Sequence, residues 1–349
     1  MSREINKLIG IVLVVFSLFA TALFFTLSSP AEDQSVLKSA TEQPKALVNT
    51  QAQKKLAYIV SDTRIPFWAI MGRGIQSRAE ALGYDVEIYS AENDRKKELE
   101  FTAKAIRENV AGIIVSPTTS SACVTILKLA KAANIPVVIS DIGTDGGEYV
   151  SYISSNNKEG AYGIGKVLAQ ELHKRGWQNG RVGIIAIPQK RLNGQLRTDG
   201  FMQAMEEYKI KGADLKQQVT FSYEETYNYA REMIEKYPDL RALWLQGSDR
   251  YQGALDAIKD SGKKDEVILA TFDAEPVFLD LIPKGILIGS AMQQPYLMGA
   301  MAVSTIDHAL NGERVEKNIQ LPILAISAEN IGEKLAIIKQ NVLGIETNK

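Results

Sequence analysis

Cysteine and histidine are nearly absent from these 349 residues: one cysteine, Cys123, and two histidines, His173 and His308. One cysteine excludes an intrachain disulfide, and two histidines leave little for a histidine-rich metal site. Charge of one sign is missing too. The formal net charge is −1, which gives no general attraction to nucleic acid, and no nucleic-acid partner is expected. The chain has no G-x-x-x-x-G-K-[ST], no G-x-S-x-G and no H-E-x-x-H, and its glycine-rich stretch at 143–147 does not match a dinucleotide fingerprint. Catalysis therefore has no anchor; neither an enzyme nor a cofactor nor a metal is expected. Cys123, in an apolar helical stretch, reads as a small core residue. What is there is ordinary globular composition, 45% apolar and 23% charged, at a length sufficient for two packed domains.

The amino-terminal region carries the compartment signal. Arg3 and Lys7 precede an uncharged run from Leu8 to Leu27, long enough at 1.5 Å per residue to cross a bilayer core of about 30 Å. Its length and the imperfect small-residue site beyond it favour an uncleaved anchor, with a cleaved signal peptide as the alternative. Residues 1–30 are thus a signal anchor or signal peptide. Basic residues in front put everything after Leu27 outside the cytoplasm, so the body is expected in the periplasm, tethered to the inner membrane by residues 8–27 if they are retained. Residues 31–54, polar and without periodicity, read as a linker.

From Leu56 onward short apolar runs alternate with amphipathic stretches. Strands are expected at 56–60, 86–89, 112–115 and 136–139, with helices at 68–82, 96–108 and 121–133 between them. The rhythm restarts with helix 159–175, strand 181–187, helix 199–208, strand 217–221, helix 226–236, strand 242–245, helix 251–260 and strand 267–271. Strand–helix alternation calls for a parallel sheet with helices on both faces and ligands at the carboxyl ends of the strands. The fold class is α/β, two doubly wound parallel-sheet lobes, with one membrane helix in front. Two such units without a catalytic cluster point to ligand capture between lobes.

The apolar run 135–139 ends in S-D-I-G-T-D-G-G at 140–147. A buried carboxylate is costly unless paired, so Asp141 either faces a crevice or caps a turn. Asp273, after Ala270-Thr271-Phe272, repeats the pattern. Further landmarks are I-P-F-W at 65–68, G-I-I-V-S-P-T at 112–118, A-N-I-P-V-V at 133–138, G-F at 200–201 and M-Q-Q-P at 292–295. Together with S-D at 140–141 and F-D at 272–273, they make the body resemble the ribose-binding branch of the type 1 periplasmic binding proteins, over almost all of residues 56–322. The resemblance implies two hinged lobes closing on a small ligand, one built from 55–155 plus 294–322, the other from 156–293 plus 323–349.

It also implies roles for single residues. Asp141 and Asp273 match acids that accept hydrogen bonds from sugar hydroxyls, Phe67 and Trp68 the aromatic pair against a sugar ring, Arg197 a cationic donor, Gln293 an amide donor between the lobes and Ser61 a hydroxyl at the end of the first strand. Phe221 matches an aromatic lid more weakly. There are departures. Ribose binders carry Asn where this chain has Ile65, Ser116 and Gly247, and Arg where it has Ile142. A site without those donors leaves ribose hydroxyls unpaired, at about 1–3 kcal/mol each, so ribose is not the expected ligand. Asp62, Arg64, Gln189, Gln246, Ser248, Asp249 and Arg250 are candidates to rebuild a polar site.

The expected function is binding of a small polar ligand, a sugar or sugar-like molecule, and its delivery to an ABC transporter permease. The alternative is a sensing subunit that signals through a membrane sensor kinase. The lactose-repressor family shares the two-lobe body, but a membrane segment stands where its DNA-binding helices would be. The charged run 93–98 reads as a solvated helix start with an Asp cap. Tyr223, Tyr227 and Tyr229 receive no role.

Overall fold

The computed structural model describes residues 55–345; the segments 1–30 and 31–54, with the expected membrane span, lie outside the described residues. Among the described residues no helix is long and apolar enough to cross a membrane. The order begins β1 (Lys55–Val60), α1 (Pro66–Leu82), β2 (Asp85–Ser90), α2 (Arg95–Arg107), β3 (Gly112–Ser116), α3 (Ser120–Ala132), β4 (Val137–Ser140) and β5 (Ser151–Ser155). It continues α4 (Asn157–Lys174), β6 (Arg181–Ala186), α5 (Leu192–Glu207), β7 (Lys211–Gln217), α6 (Tyr223–Lys236), β8 (Leu240–Leu245), α7 (Tyr251–Asp260), β9 (Ile268–Phe272), α8 (Phe278–Leu281) and β10 (Gly289–Met292). Last come α9 (Pro295–Leu310), β11 (Asn318–Leu321), β12 (Leu324–Ser327), α10 (Ile331–Ile337) and a π-helical segment, Ile338–Leu343.

These form two six-stranded sheets, β11-β5-β4-β3-β1-β2 and β12-β10-β9-β8-β6-β7. The first is parallel throughout; in the second, β12 pairs antiparallel to β10. The central strands β3, β4 and β9 are wholly buried, as parallel strands covered on both faces require. The chain passes between the two sheets three times: from β5 to α4, from β10 to α9, and from β11 to β12. These are the three crossings between the two lobes.

Two helix pairs set the position of the cleft residues. α1 packs on α9, and a Cβ at Gly74 would overlap the carbonyl of Tyr296; α5 packs on α4, and a Cβ at Gly200 would overlap the carbonyl of Lys158. Glycine lets the backbones meet there. α1 carries Trp68 and α5 carries Arg197, one from each lobe. The segment 338–343 joins both lobes: Leu343 accepts from Arg73 Nη2 of α1 at 2.6 Å, and Asn341 Nδ2 donates to Gln294 Oε1 at 3.0 Å in the second crossing. Ile338, Val342 and Leu343 share a buried cluster with Ile70 of α1 and Leu269 of β9.

Three expectations need correction. The strand expected at 217–221 lies at 211–217; K-G-A-D-L-K-Q is a polar edge strand, and the alternation Val219, Phe221 belongs to the loop after it. The helix expected from 199 begins at Leu192, because L-N-G-Q-L-R-T has no apolar periodicity. In the charged run, Asp94 caps α2 as expected, accepting from Lys96 N–H at 2.7 Å, but Glu98 is fully buried and accepts from Thr118 N–H at 2.7 Å and Thr118 Oγ1 at 3.0 Å. Tyr223 and Tyr227 donate to Asp256 and Asp260 of α7, which binds them into the lobe.

Candidate functional site

Each lobe ends one central strand on an aspartate in the left-handed region: Asp141 after β4 at φ 69° and Asp273 after β9 at φ 67°. Aspartate tolerates that conformation better than bulkier residues. Each is held by its own N–H, Asp141 to Ile153 O of β5 at 3.0 Å and Asp273 to Ala291 O of β10 at 2.8 Å. Both line one cavity between the lobes. Asp141 is 5% exposed and accepts from Trp68 Nε1 at 3.1 Å through Oδ2. Burial pushes its carboxyl up to about 6, against the opposing field of Arg197. Asp273 accepts from Gln293 Nε2 at 2.6 Å, and its other oxygen lies 3.7 Å from Arg197 Nη1. Burial raises its pKa as well, and Arg197 and Gln293 oppose the rise.

The wall on one side is aromatic. Pro66 opens α1, where its fixed φ and missing N–H cost nothing, and this turn places Phe67 and Trp68 edge to face at 6.2 Å. The other wall is cationic. Arg197 is 4% exposed; its Nε donates to Asn157 Oδ1 at 2.8 Å, its Nη1 to Gln246 O at 3.2 Å, and its guanidinium lies 3.8 Å from the Phe272 ring centre. Arg250 pairs with Asp249 at 2.5 Å. Phe221, at φ 54°, stands between the guanidiniums of Arg191 and Arg250, 5.7 and 5.1 Å from its ring centre. S-Y-E-E at 222–225 is a helix cap: Ser222 Oγ accepts from Glu225 N–H at 3.1 Å, and Glu225 in turn accepts from the N–H groups of Val219, Thr220 and Phe221. That cap holds the strained Phe221 in place. Nearby, Glu275 accepts from Ser248 Oγ at 2.7 Å, and burial pushes it up to about 7.

A cavity between two α/β lobes, with one acid from each lobe, an aromatic wall and guanidinium donors, is arranged to surround a small polar molecule. Residues 56–314 match the family description of a periplasmic binding protein domain. The chain belongs to that family. Relatives place the periplasmic binding protein in the type 1, ribose-binding branch. The ribose import binding protein of Escherichia coli K12 is 30% identical over 272 residues, covering 77% of this chain and 88% of that protein. That of Haemophilus influenzae is 29% identical over 279 residues, covering 80% and 93%. The fold is shared with a carbohydrate transporter solute binding protein from Agrobacterium radiobacter solved with D-arabinose (TM-score 0.76, 23% identity, 84% of this chain and 100% of that one). It is shared also with an ABC transporter periplasmic solute binding protein from Actinobacillus succinogenes 130z solved with D-allose (TM-score 0.74, 20% identity, 80% and 99%).

In this periplasmic binding protein, six of the seven expected site residues line the one cavity: Phe67, Trp68, Asp141, Arg197, Asp273 and Gln293. Ser61 does not; its hydroxyl is buried against Asn93 Oδ1 at 2.7 Å. The departures from the ribose binders have visible causes. Ser116 turns into the core, 3.1 Å from Tyr58 Oη. A Cβ at Gly247 would overlap Arg250 Nη2, so the guanidinium takes the space of a side chain there. Of the candidate replacements, Gln246, Ser248, Asp249 and Arg250 reach the cavity. Asp62 and Arg64 bind each other at 2.7 Å outside it, and Gln189 is spent on Ile187 O at 2.9 Å and Thr198 Oγ1. The sequence reasoning missed Ile187, Arg191 and Asn193. Arg191 precedes the first turn of α5, whose sequence L-N-G-Q-L-R-T carries no apolar stripe to mark a helix start. Among the described residues, no group of three or more His, Cys, Asp or Glu is placed to hold a metal.

Proposed function

We propose that this periplasmic binding protein captures a small neutral polyhydroxy molecule, a sugar or sugar-like compound, and delivers it to an ABC importer. The observation that carries this reading is the pair Asp141 and Asp273, one from each lobe, facing one cavity beside Arg197, Gln293 and the Phe67–Trp68 wall. A hydroxyl both donates and accepts. Carboxylates take its proton side, guanidinium and amide N–H groups its lone pairs, and a ring's C–H face lies on the aromatic surface. A ligand bonded to both aspartates touches both lobes and so favours the closed arrangement through its differential contacts. The names of the ribose import relatives support the importer as partner. The inward turn of Ser116 and the filled space at Gly247 support a ligand other than ribose. Residues 8–27, if retained, tether the body to the inner membrane on its periplasmic side.

The test is a thermal-shift screen of the full chain against pentoses, hexoses and sugar alcohols, repeated with Asp141→Ala. A ligand at 100 times its Kd stabilises the folded state by about 2.7 kcal/mol. A hit that disappears in Asp141→Ala is the expected result; a hit that survives it moves the ligand away from this cavity.

A further inference from the structure

Asp141 and Asn193 line a second cavity as well as the first. It lies beyond Asp141, between the 141–143 loop, β5 and the first turn of α5, and measures about 130 Å³ against about 50 Å³ in the central site. Among the described residues, Asp141 is the one charged residue in its lining. No cation is there to hold an anion. The polar groups are neutral: Ser120, Ser154, Asn193 and Gln320. The Ser120 hydroxyl and the Gln320 amide make no hydrogen bond among the described residues, and the Asn193 carbonyl oxygen accepts from Gly194 N–H at 3.0 Å, which leaves its NH2 to donate. Tyr152 Oη and the Asn157 amide are already engaged, on Asp141 O at 2.9 Å and on Arg197 and Ser155. Ile142 and Leu196 supply apolar lining, and Leu192, which also lines it, is 56% exposed.

Asp141 itself points the same way. It is buried, yet its Oδ1 makes no hydrogen bond among the described residues, while a carboxylate has about four acceptor sites. Set in the lining shared by the two cavities, it can accept from hydroxyls on both sides.

From this geometry we infer that the ligand has two units, a disaccharide whose first ring lies against Trp68 and whose second, neutral ring occupies the side cavity. The inference rests on the proposed reading of the central cavity as a sugar site. Hydroxyls of the second ring pair with Ser120, Asn193 and Gln320, and its C–H face covers Leu192 and Leu196. Neutral hydroxyls suit a lining without cations; a phosphorylated or carboxylated second unit would meet Asp141 and be repelled.

The test is isothermal titration of the full chain with D-glucose and D-galactose, and with maltose, cellobiose, lactose and melibiose, in wild type, Leu196→Trp and Ser120→Phe. Both substitutions fill the side cavity from different elements, and circular dichroism melts show which variant keeps its fold. At least one disaccharide is expected to bind about tenfold or more tightly than its monosaccharides, and either folded variant to remove that advantage while holding monosaccharide Kd within about twofold. Monosaccharide binding as tight as every disaccharide, unchanged in the variants, overturns the two-unit ligand and leaves the central site standing. Binding of none of the six sugars also overturns it, and the wider screen with Asp141→Ala then decides whether the central site falls too.

Discussion

Asp141 and Asp273 share a backbone device and differ in company. Both follow a buried central strand, both sit at positive φ, and both donate their N–H to the next strand of their sheet. The second lobe supplies its acid with a counter-charge, Arg197, and with an amide, Gln293. The first lobe gives its acid an indole N–H and, among the described residues, no ion pair. The two lobes therefore repeat a geometry without repeating an electrostatic solution. Asp273 is tied into the protein's own network; Asp141 keeps acceptor capacity for whatever lies between the lobes.

The largest break in that contrast comes from Arg197→Met. It leaves Asp273 buried without its cation and strips Asn157 and Gln246 of a donor, so urea denaturation should show a loss of about 3–5 kcal/mol. The aspartates themselves should then separate. Asp273→Asn leaves Arg197 without its carboxylate and should cost about 1–3 kcal/mol of stability, whereas Asp141→Asn, which removes a buried charge without a counter-ion of its own, should raise stability at pH 7. In calorimetric titration Asp141→Asn should instead weaken ligand binding by about 1.5–3 kcal/mol, the value of hydrogen bonds to a charged group.

Acidity sharpens the comparison further. Asp141, pushed up to about 6 by burial, stands above the ~3.9 of an unfolded chain, so between these values the native state holds more protons than the unfolded one. Its contribution is complete below about pH 4 and is lost as pH rises through 6. Glu275, at about 7, behaves likewise over a slightly higher window. Melting temperature should fall less between pH 4 and 7 in Asp141→Asn and Glu275→Gln than in wild type; parallel curves would contradict the assignment. The smallest effect belongs to Ser61→Ala. Losing the bond to Asn93 should cost about 1 kcal/mol of stability and change ligand Kd by less than about twofold.

Much of the fold was legible because its central strands are short apolar runs and most of its helices carry a clear stripe. Edge strand β7 and the first turns of α5 were not, since K-G-A-D-L-K-Q and L-N-G-Q-L-R-T hide no apolar face and take their place from neighbours. The site divides along the same line. Asp141, Asp273 and the Phe67–Trp68 pair sit next to strands and helix starts that the pattern locates, and the resemblance supplied Arg197 and Gln293. Arg191 and Asn193 lie at the hidden start of α5, and nothing local marks them. Ser61 ends a strand as the matching residue does, yet Asn93, at φ 61° in the loop after β2, claims its hydroxyl. A loop from elsewhere in the chain decided that side chain's direction.

The bonds from Arg73 to Leu343 and from Asn341 to Gln294 bear on how the molecule opens. They fasten residues 338–343 to α1 and to the second crossing, so this segment is placed to act as a leash beside the three crossings. A swing that carries α1 away from the other lobe must stretch or break it. If release of ligand parts the cavity between Asp141 and Asp273, the amides of 338–345 should exchange with solvent faster than in the ligand-bound protein; equal exchange in the two states would rule the leash out.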